Sequence, residues 1–371
     1  MPAPLDPLRS RTGEMLDALR LLVDTESPSS DLPSLHACAE VLCEVGERVL
    51  GSRPDIVASD GRPHVRWSAD GEPRVLVLGH LDTVWPLGTV DRWPFSVQGG
   101  RASGPGVFDM KAGIVQALFA IASLQDPSGI RILFTSDEEV GAPTSRGLIE
   151  EAARSVGAVL VCEPSHHGAL KVARKGIATY RVRTTGRAAH AGLEPEKGVN
   201  ALVELAHQAV AIAALGRAEA GTTVTPTLAS AGTAMNTVPA AGELAVDVRA
   251  WTTDEMRRVD DAVRSVTPVL VGAEVTVEAE PFRPPLEASR SAELFALART
   301  AAAELGMPEL TGAEVGGASD GNFTAALGVP TLDGLGAVGD GAHAEGEWIE
   351  VDSMAPRAAL LAELLRRTLR G

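Results

Sequence analysis

The chain is poor in cysteine, in positive charge and in long apolar runs, and each shortage excludes something. Its three cysteines, Cys38, Cys43 and Cys162, are too few and too odd in number for a disulfide framework. A reducing compartment fits them, and the cytoplasm is the expected address. Lys and Arg number 33 against 49 Asp and Glu, a net charge of −16. Nucleic-acid binding needs a basic surface, so none is expected. No apolar run approaches the ~18 residues that would cross a bilayer, so no membrane contact is expected either. The opening MPAPLDPLRSRTGEML has no basic stretch leading into an apolar one, and no export signal is read there. Repeats and low-complexity tracts are missing. The glycines of SGPGVFDMKAG do not form a phosphate loop, because no GxxxxGK(S/T) is present.

What is there is an alternation. A chain of 371 residues exceeds one ordinary core, so two domains are expected. GEMLDALRLLVD has helical spacing, and Ser34 to Leu50 reads as a second helix. RVLVLGHLDT, RILFTSDEE and AVLVCEP read as strands, with helices GIVQALFAIASL and SRGLIEEAARSV between them. Continuous apolar strands alternating with helices predict a largely parallel sheet covered on both faces. Near residue 170 the texture changes. One half-exposed strand is expected over KVARKGIATYRVRTTGRAA, then a helix, two antiparallel strands, a helix and a last strand, AEVTVEAEPF. That is the ferredoxin-like order. The first texture then resumes. The expected fold is a three-layer α/β/α domain, residues 1–172 and 285–371, interrupted by a ferredoxin-like α+β domain, residues 173–284.

Ligands of parallel α/β sheets bind beyond the carboxyl ends of the strands. Four strand ends here deliver histidine or acid: His80 and Asp82, then Asp137, Glu138 and Glu139, then Glu163, then His343. Asp109 joins them from the turn SGPGVFDMKAG. Imidazole and carboxylate together suit zinc. Five ligands, His80, Asp109, Glu139, Glu163 and His343, suit two ions better than one, with one carboxylate shared. Two ions clamp an attacking water. Asp82, two residues past His80, is placed to accept the second N–H of that ring. Glu138 is placed to act as general base. Adjacent residues of a strand point opposite ways, which would send Glu139 to a metal and Glu138 to the water. His166 and His167 read as solvated loop residues and Cys162 as a buried hydrophobe. His36, His64 and His207 have no acidic partner pattern and are assigned no role.

GHLDTVWP, SGPGVFDMKAG, TSDEEVGA, the Glu163-Pro164 step, GRAAHAG, GGASDG and the late His343 together resemble the M20 family of dinuclear zinc aminoacylases and carboxypeptidases. The spacing is closest to its glutamate carboxypeptidase branch. The resemblance runs from about residue 70 to the end. It implies two Zn2+ per subunit, replaceable by Co2+ or Mn2+. His80, Asp109 and Glu163 would hold one ion, and Asp109, Glu139 and His343 the other, with a cis peptide after Asp109. It makes Glu138 the base, and the insertion a lid through which a homodimer forms. His190 would stabilise the oxyanion, in cis or from a partner, and Asn236, Arg249 and Arg283 would hold the carboxylate of a small-molecule substrate. An acidic enzyme can then bind an anion, because two ions and a few arginines are focused on it. The implied reaction is release of C-terminal glutamate from an N-acyl or peptidyl substrate. The alternatives are deacylation of acetylornithine or succinyl-diaminopimelate, and a catalytically idle metal-binding scaffold. EPSHHGALK departs from the branch by its two histidines after Glu163.

Overall fold

Strand Val75–His80 shows how the main sheet is covered. Val75 and Val77 join one apolar cluster, and Leu76 and Leu78 join another on the opposite side. Side chains alternate along a strand, so a strand buried on both faces must be apolar at every position. The first cluster includes residues of helices Thr12–Asp24, Leu32–Leu50, Ala112–Ala122, Ala288–Glu304 and Met354–Thr368. The second includes residues of helices Arg146–Arg154 and Gly321–Ala326. Helix, sheet and helix form the three layers predicted.

The computed structural model describes residues 5–280 and 282–370. Pro281, at the end of the segment expected as the last strand, and residues 1–4 of the stretch read for an export signal lie outside them. The chain forms two compact units. The first takes the chain up to Ala173, Glu287–Val315 and Ser319 onward; the second takes Arg174–Leu286 and Gly316–Ala318.

In the first unit the sheet order is Asp55–Ser59, Arg62–Ser68, Ile130–Thr135, Val75–His80, Ala158–Val161, Thr331–Leu332. The last four strands are parallel. The first two form a hairpin added antiparallel at one edge. Helix Ala112–Ala122 comes so near the sheet that a Cβ on Gly113 would stand 2.0 Å from the carbonyl oxygen of Cys162. A second, four-stranded antiparallel sheet runs Gly339–Asp340, Trp348–Glu350, Arg101–Ser103, Ser96–Gln98.

In the second unit the strand order is Thr223–Ala231, Ala241–Ala250, Gly176–Thr185, Glu274–Ala279, with helices Ala201–Ala213 and Thr253–Arg264. This is the ferredoxin-like arrangement. Where one long strand was expected there are two, Leu170–Arg174 and Gly176–Thr185. The break falls where the backbone of Arg283 to Pro285 crosses. A Cβ on Gly176 would stand 2.8 Å from Pro285 N and 2.9 Å from Arg283 O.

Candidate metal centre

His80 is the last residue of its strand, and its ring is almost wholly buried. Its Nδ1 lies 2.9 Å from the backbone carbonyl oxygen of Asp82. A carbonyl only accepts, so Nδ1 carries hydrogen and Nε2 faces the acids. Nε2 stands 3.2 Å from Asp109 Oδ1 and 3.5 Å from Glu163 Oε1. The carboxylate of Asp82, the expected partner of the ring, stands 3.5 Å from Nδ1. It accepts instead from the Ser29 hydroxyl at 2.7 Å and from the backbone N–H of Glu138 and of Glu139, each at 3.2 Å.

Those two N–H bonds explain a departure from expectation. Strand Ile130–Thr135 stops at Thr135, and Glu138–Val140 forms a single 3₁₀ turn. Glu138 and Glu139 therefore diverge by the three-residue pitch of that turn, not by the alternation of a strand. Asp82 takes the N–H groups that a neighbouring strand would have taken.

Asp109 lies in an irregular turn before helix Ala112–Ala122, and its peptide bond to Met110 is cis. Its Oδ2 stands 3.4 Å from His343 Nε2, which is in turn 3.1 Å from Glu139 Oε2. His343 sits in the connection between Gly339–Asp340 and Trp348–Glu350, with a left-handed φ of 61°. For a non-glycine residue that conformation costs energy and is concentrated at functional sites.

Two histidine–carboxylate sets thus share Asp109 through its two separate oxygens. One donor atom each of His80, Asp109 and Glu139 lies within 4.8 Å of the others. Zinc bonds to nitrogen and oxygen of about 2.0–2.2 Å place neighbouring ligand atoms of a tetrahedron roughly 3.3–3.6 Å apart. The separations of 3.2, 3.5, 3.4 and 3.1 Å fall near that range.

Charge makes the same case. Asp82, Asp109, Glu138, Glu139 and Glu163 crowd this region, and Lys171 Nζ approaches Glu163 Oε2 at 3.7 Å. Burial opposes charge on His80, yet Asp109, Asp82 and Glu163 outweigh it and raise its pKa well above the ordinary value. Asp109 and Glu139 push His343 up to about 10. Burial lifts Glu139 to about 7 despite its bond to His343. Burial also opposes charge on Asp109, but the two histidines hold its pKa well below the carboxylate range. Buried acids need cationic partners. Divalent cations in place of the imidazole protons would meet that need, and the donors present fit them.

His190, Asn236, Arg249 and Arg283 lie in the second unit. The exposed His190 accepts backbone N–H from Gly192 and Leu193 at Nδ1, each at 3.2 Å. Its Nε2 therefore carries the hydrogen. Asn236 is beside it in the backbone, its carbonyl accepting from the Ala191 N–H at 2.9 Å. Arg249 Nε donates to Asp247 Oδ1 at 3.0 Å, and its Nη2 to Asp247 Oδ2 at 3.1 Å. Arg283 is buried, and its backbone pairs with that of Ile177. His166 and His167 are exposed, with ring centroids 4.7 Å apart. Nothing in the sequence marks Ser29, Arg62 or His64, which the fold carries to the segment bearing Glu138. The strand pairing reveals Arg62 and His64, and the bridge between Pro28 and Thr83 reveals Ser29.

A model of peptidase family M20/M25/M40 matches residues 76–367. Carboxypeptidase G2 of Pseudomonas sp. (strain RS-16) is 32% identical over 80% of this chain and 74% of its own length. Succinyl-diaminopimelate desuccinylase of Dechloromonas aromatica is 27% identical over 92% of this chain and 96% of its own. The crystal structure of aminopeptidase PepT from Bacillus cereus superposes with a TM-score of 0.78, covering 99% of both chains at 22% identity, which establishes the fold. The chain belongs to peptidase family M20/M25/M40 and is a hydrolase that works with metal ions.

Proposed function

We propose that this hydrolase uses two zinc ions to cleave the amide of an N-acyl or peptidyl amino acid, releasing C-terminal glutamate. One observation carries the metal reading: the two oxygens of Asp109 face different histidines, at 3.2 Å and 3.4 Å. In this reading His80, Asp109 and Glu163 hold one ion, and Asp109, Glu139 and His343 the other. Cobalt or manganese would substitute. Ions held there supply Lewis acidity toward the scissile carbonyl and make water acidic enough to attack at neutral pH.

The side chains do the rest. Glu138 takes a proton from the attacking water as the new C–O bond forms, and returns it to the amide nitrogen as the C–N bond breaks. One water is consumed, and an acid and an amine leave. His190 donates its Nε2–H to the oxyanion; the two backbone N–H groups at its Nδ1 support that tautomer. Asn236, Arg249 and Arg283 bind the free carboxylate of the substrate, Arg249 being oriented by Asp247.

The test is a hydrolysis panel on zinc-loaded protein at neutral pH. It compares acyl-glutamates, including aminobenzoyl-glutamate, with N-acetylornithine, succinyl-diaminopimelate and simple dipeptides. Preference for C-terminal glutamate is expected. Preference for a diamino acid would replace this reading with the deacylase one, which the near full-length match to the desuccinylase favours. Two bound metals with silence across the panel would overturn both.

A homodimer formed through the second unit belongs to the same proposal. Strand Thr223–Ala231 is the outer strand of its sheet, and Leu228 on it and Val210 on helix Ala201–Ala213 are 74% and 73% exposed. Exposed apolar side chains beside an open sheet edge support a pairing surface.

A further inference from the structure

The Arg62–Ser68 strand pairs antiparallel with Ile130–Thr135, Val65 opposite Phe134. That register carries His64, one residue earlier, to the point where the partner strand ends. His64 is fully buried, and both its nitrogens are engaged. The backbone N–H of Ser136 points at His64 Nδ1, 3.2 Å away. A backbone N–H can only donate, so Nδ1 must be the bare nitrogen. Nε2 then carries the hydrogen and donates to Thr144 Oγ1 at 3.1 Å. Thr144 passes the chain on, its hydroxyl donating to Asp137 Oδ2 at 2.7 Å. The same oxygen accepts the backbone N–H of Thr144 at 2.7 Å and of Ser145 at 3.2 Å. The carbonyl of Ser136 accepts from Arg62 Nη1 at 3.3 Å. Residues 136 and 137 are therefore fixed from one side just before the chain turns through Glu138 and Glu139.

We propose that His64 is a positioning residue: as the neutral Nε2–H tautomer it holds Ser136 directly and Asp137 through Thr144, and so sets where Glu138 projects. This rests on the reading of Glu138 as the base. A general base works only within hydrogen-bond reach of its proton, and a displacement of about 1 Å costs on the order of 10²-fold. The two hydrogen bonds of His64 go to Ser136 and Thr144, neither of them a proposed metal ligand or substrate-binding residue, so its loss should act on kcat and leave KM and metal content near normal.

The experiment has two arms. In the first, zinc-loaded His64→Ala, His64→Asn and His64→Gln proteins are assayed on aminobenzoyl-glutamate beside Glu138→Gln. Asn places an oxygen where Nδ1 stood, and Gln places an amide N–H near Nε2. About a 10- to 100-fold fall in kcat is expected for Ala. KM should stay within about threefold, and Asn or Gln should recover part of the loss. Full activity of His64→Ala while Glu138→Gln is dead overturns the proposal and spares the base. Full activity of Glu138→Gln removes the base reading itself. The second arm needs neither substrate nor variant stability: nitrogen NMR of the histidine rings in the wild-type protein at neutral pH. A bare Nδ1 and protonated Nε2 on His64 are expected. An Nδ1–H tautomer or an imidazolium overturns the proposal.

Discussion

The carboxylate of Asp82 accepts the backbone N–H of Glu138 at 3.2 Å, so the residue two places beyond one metal-ligand candidate holds the proposed base. The backbone carbonyl of that same Asp82 fixes the ring of His80. One residue thereby ties the end of strand Val75–His80 to the turn that follows Ile130–Thr135.

Asp82→Asn should loosen the end of this tie at Glu138 and Glu139 and leave the carbonyl at His80 in place. In either orientation the amide nitrogen would face a backbone N–H, that of Glu138 or that of Glu139, where the carboxylate now accepts. Partners that orient metal ligands typically contribute 10- to 100-fold in metal affinity or activity. Zinc affinity and kcat should each fall by about that much. Unchanged titration curves and unchanged turnover would show that the carboxylate is dispensable.

Glu138→Ala should keep both metals and lose about 10²–10⁴-fold in turnover, the scale of a positioned acid–base group. Metal content by elemental analysis must accompany the assay. Near-normal kcat at two ions per chain would remove Glu138 from the mechanism.

Metal stoichiometry separates the shared ligand from the others. Asp109 faces both histidines, whereas Glu163 approaches His80 and Glu139 approaches His343. After dialysis against dilute chelator, Asp109→Ala should retain neither ion, while Glu163→Ala and His343→Ala should each retain one. Equal retention by all three variants would contradict a bridging Asp109.

Much of this was legible in the sequence, for a physical reason. Strands buried on both faces must be apolar throughout, so they stand out, and the polar residues at their ends stand out with them. The turn at Glu138 was not legible, because its cause, Asp82, lies over fifty residues away in the chain. Strands Gly339–Asp340 and Trp348–Glu350, which flank His343, are too short to show any period. His64 sits in PHVRW, which holds no acid and shows no ligand spacing. Only the register of Val65 on Phe134 brings it to Ser136.

Light scattering should give the mass of two chains, and Leu228→Lys should shift it toward one. Leu228 is 74% exposed on the outer strand of the second unit's sheet, and a charge there repels a neighbouring copy without entering the core. A wild-type monomer at micromolar concentration would end the dimer reading.

His64 should also leave a mark on stability against pH. Burial depresses its pKa below the ordinary histidine value, Asp137 and Asp82 oppose that, and Arg62 adds to it. The unfolded chain titrates near the ordinary value of about 6.5. Between the depressed folded value and about 6.5, the unfolded state binds the extra proton and the native state does not. Stability therefore rises with pH across that window. The contribution of His64 is complete above it and is lost as pH falls from about 7 through the folded value. His64→Gln has no such proton to bind. Glu139, His343 and Glu347 also titrate abnormally, but they are common to both proteins and cancel in the comparison. At matched metal loading, the drop in Tm between neutral and mildly acidic pH should be smaller for His64→Gln than for the wild type. Equal drops would mean that His64 does not resist protonation in the folded chain, and the bare Nδ1 facing Ser136 would then have no energetic basis.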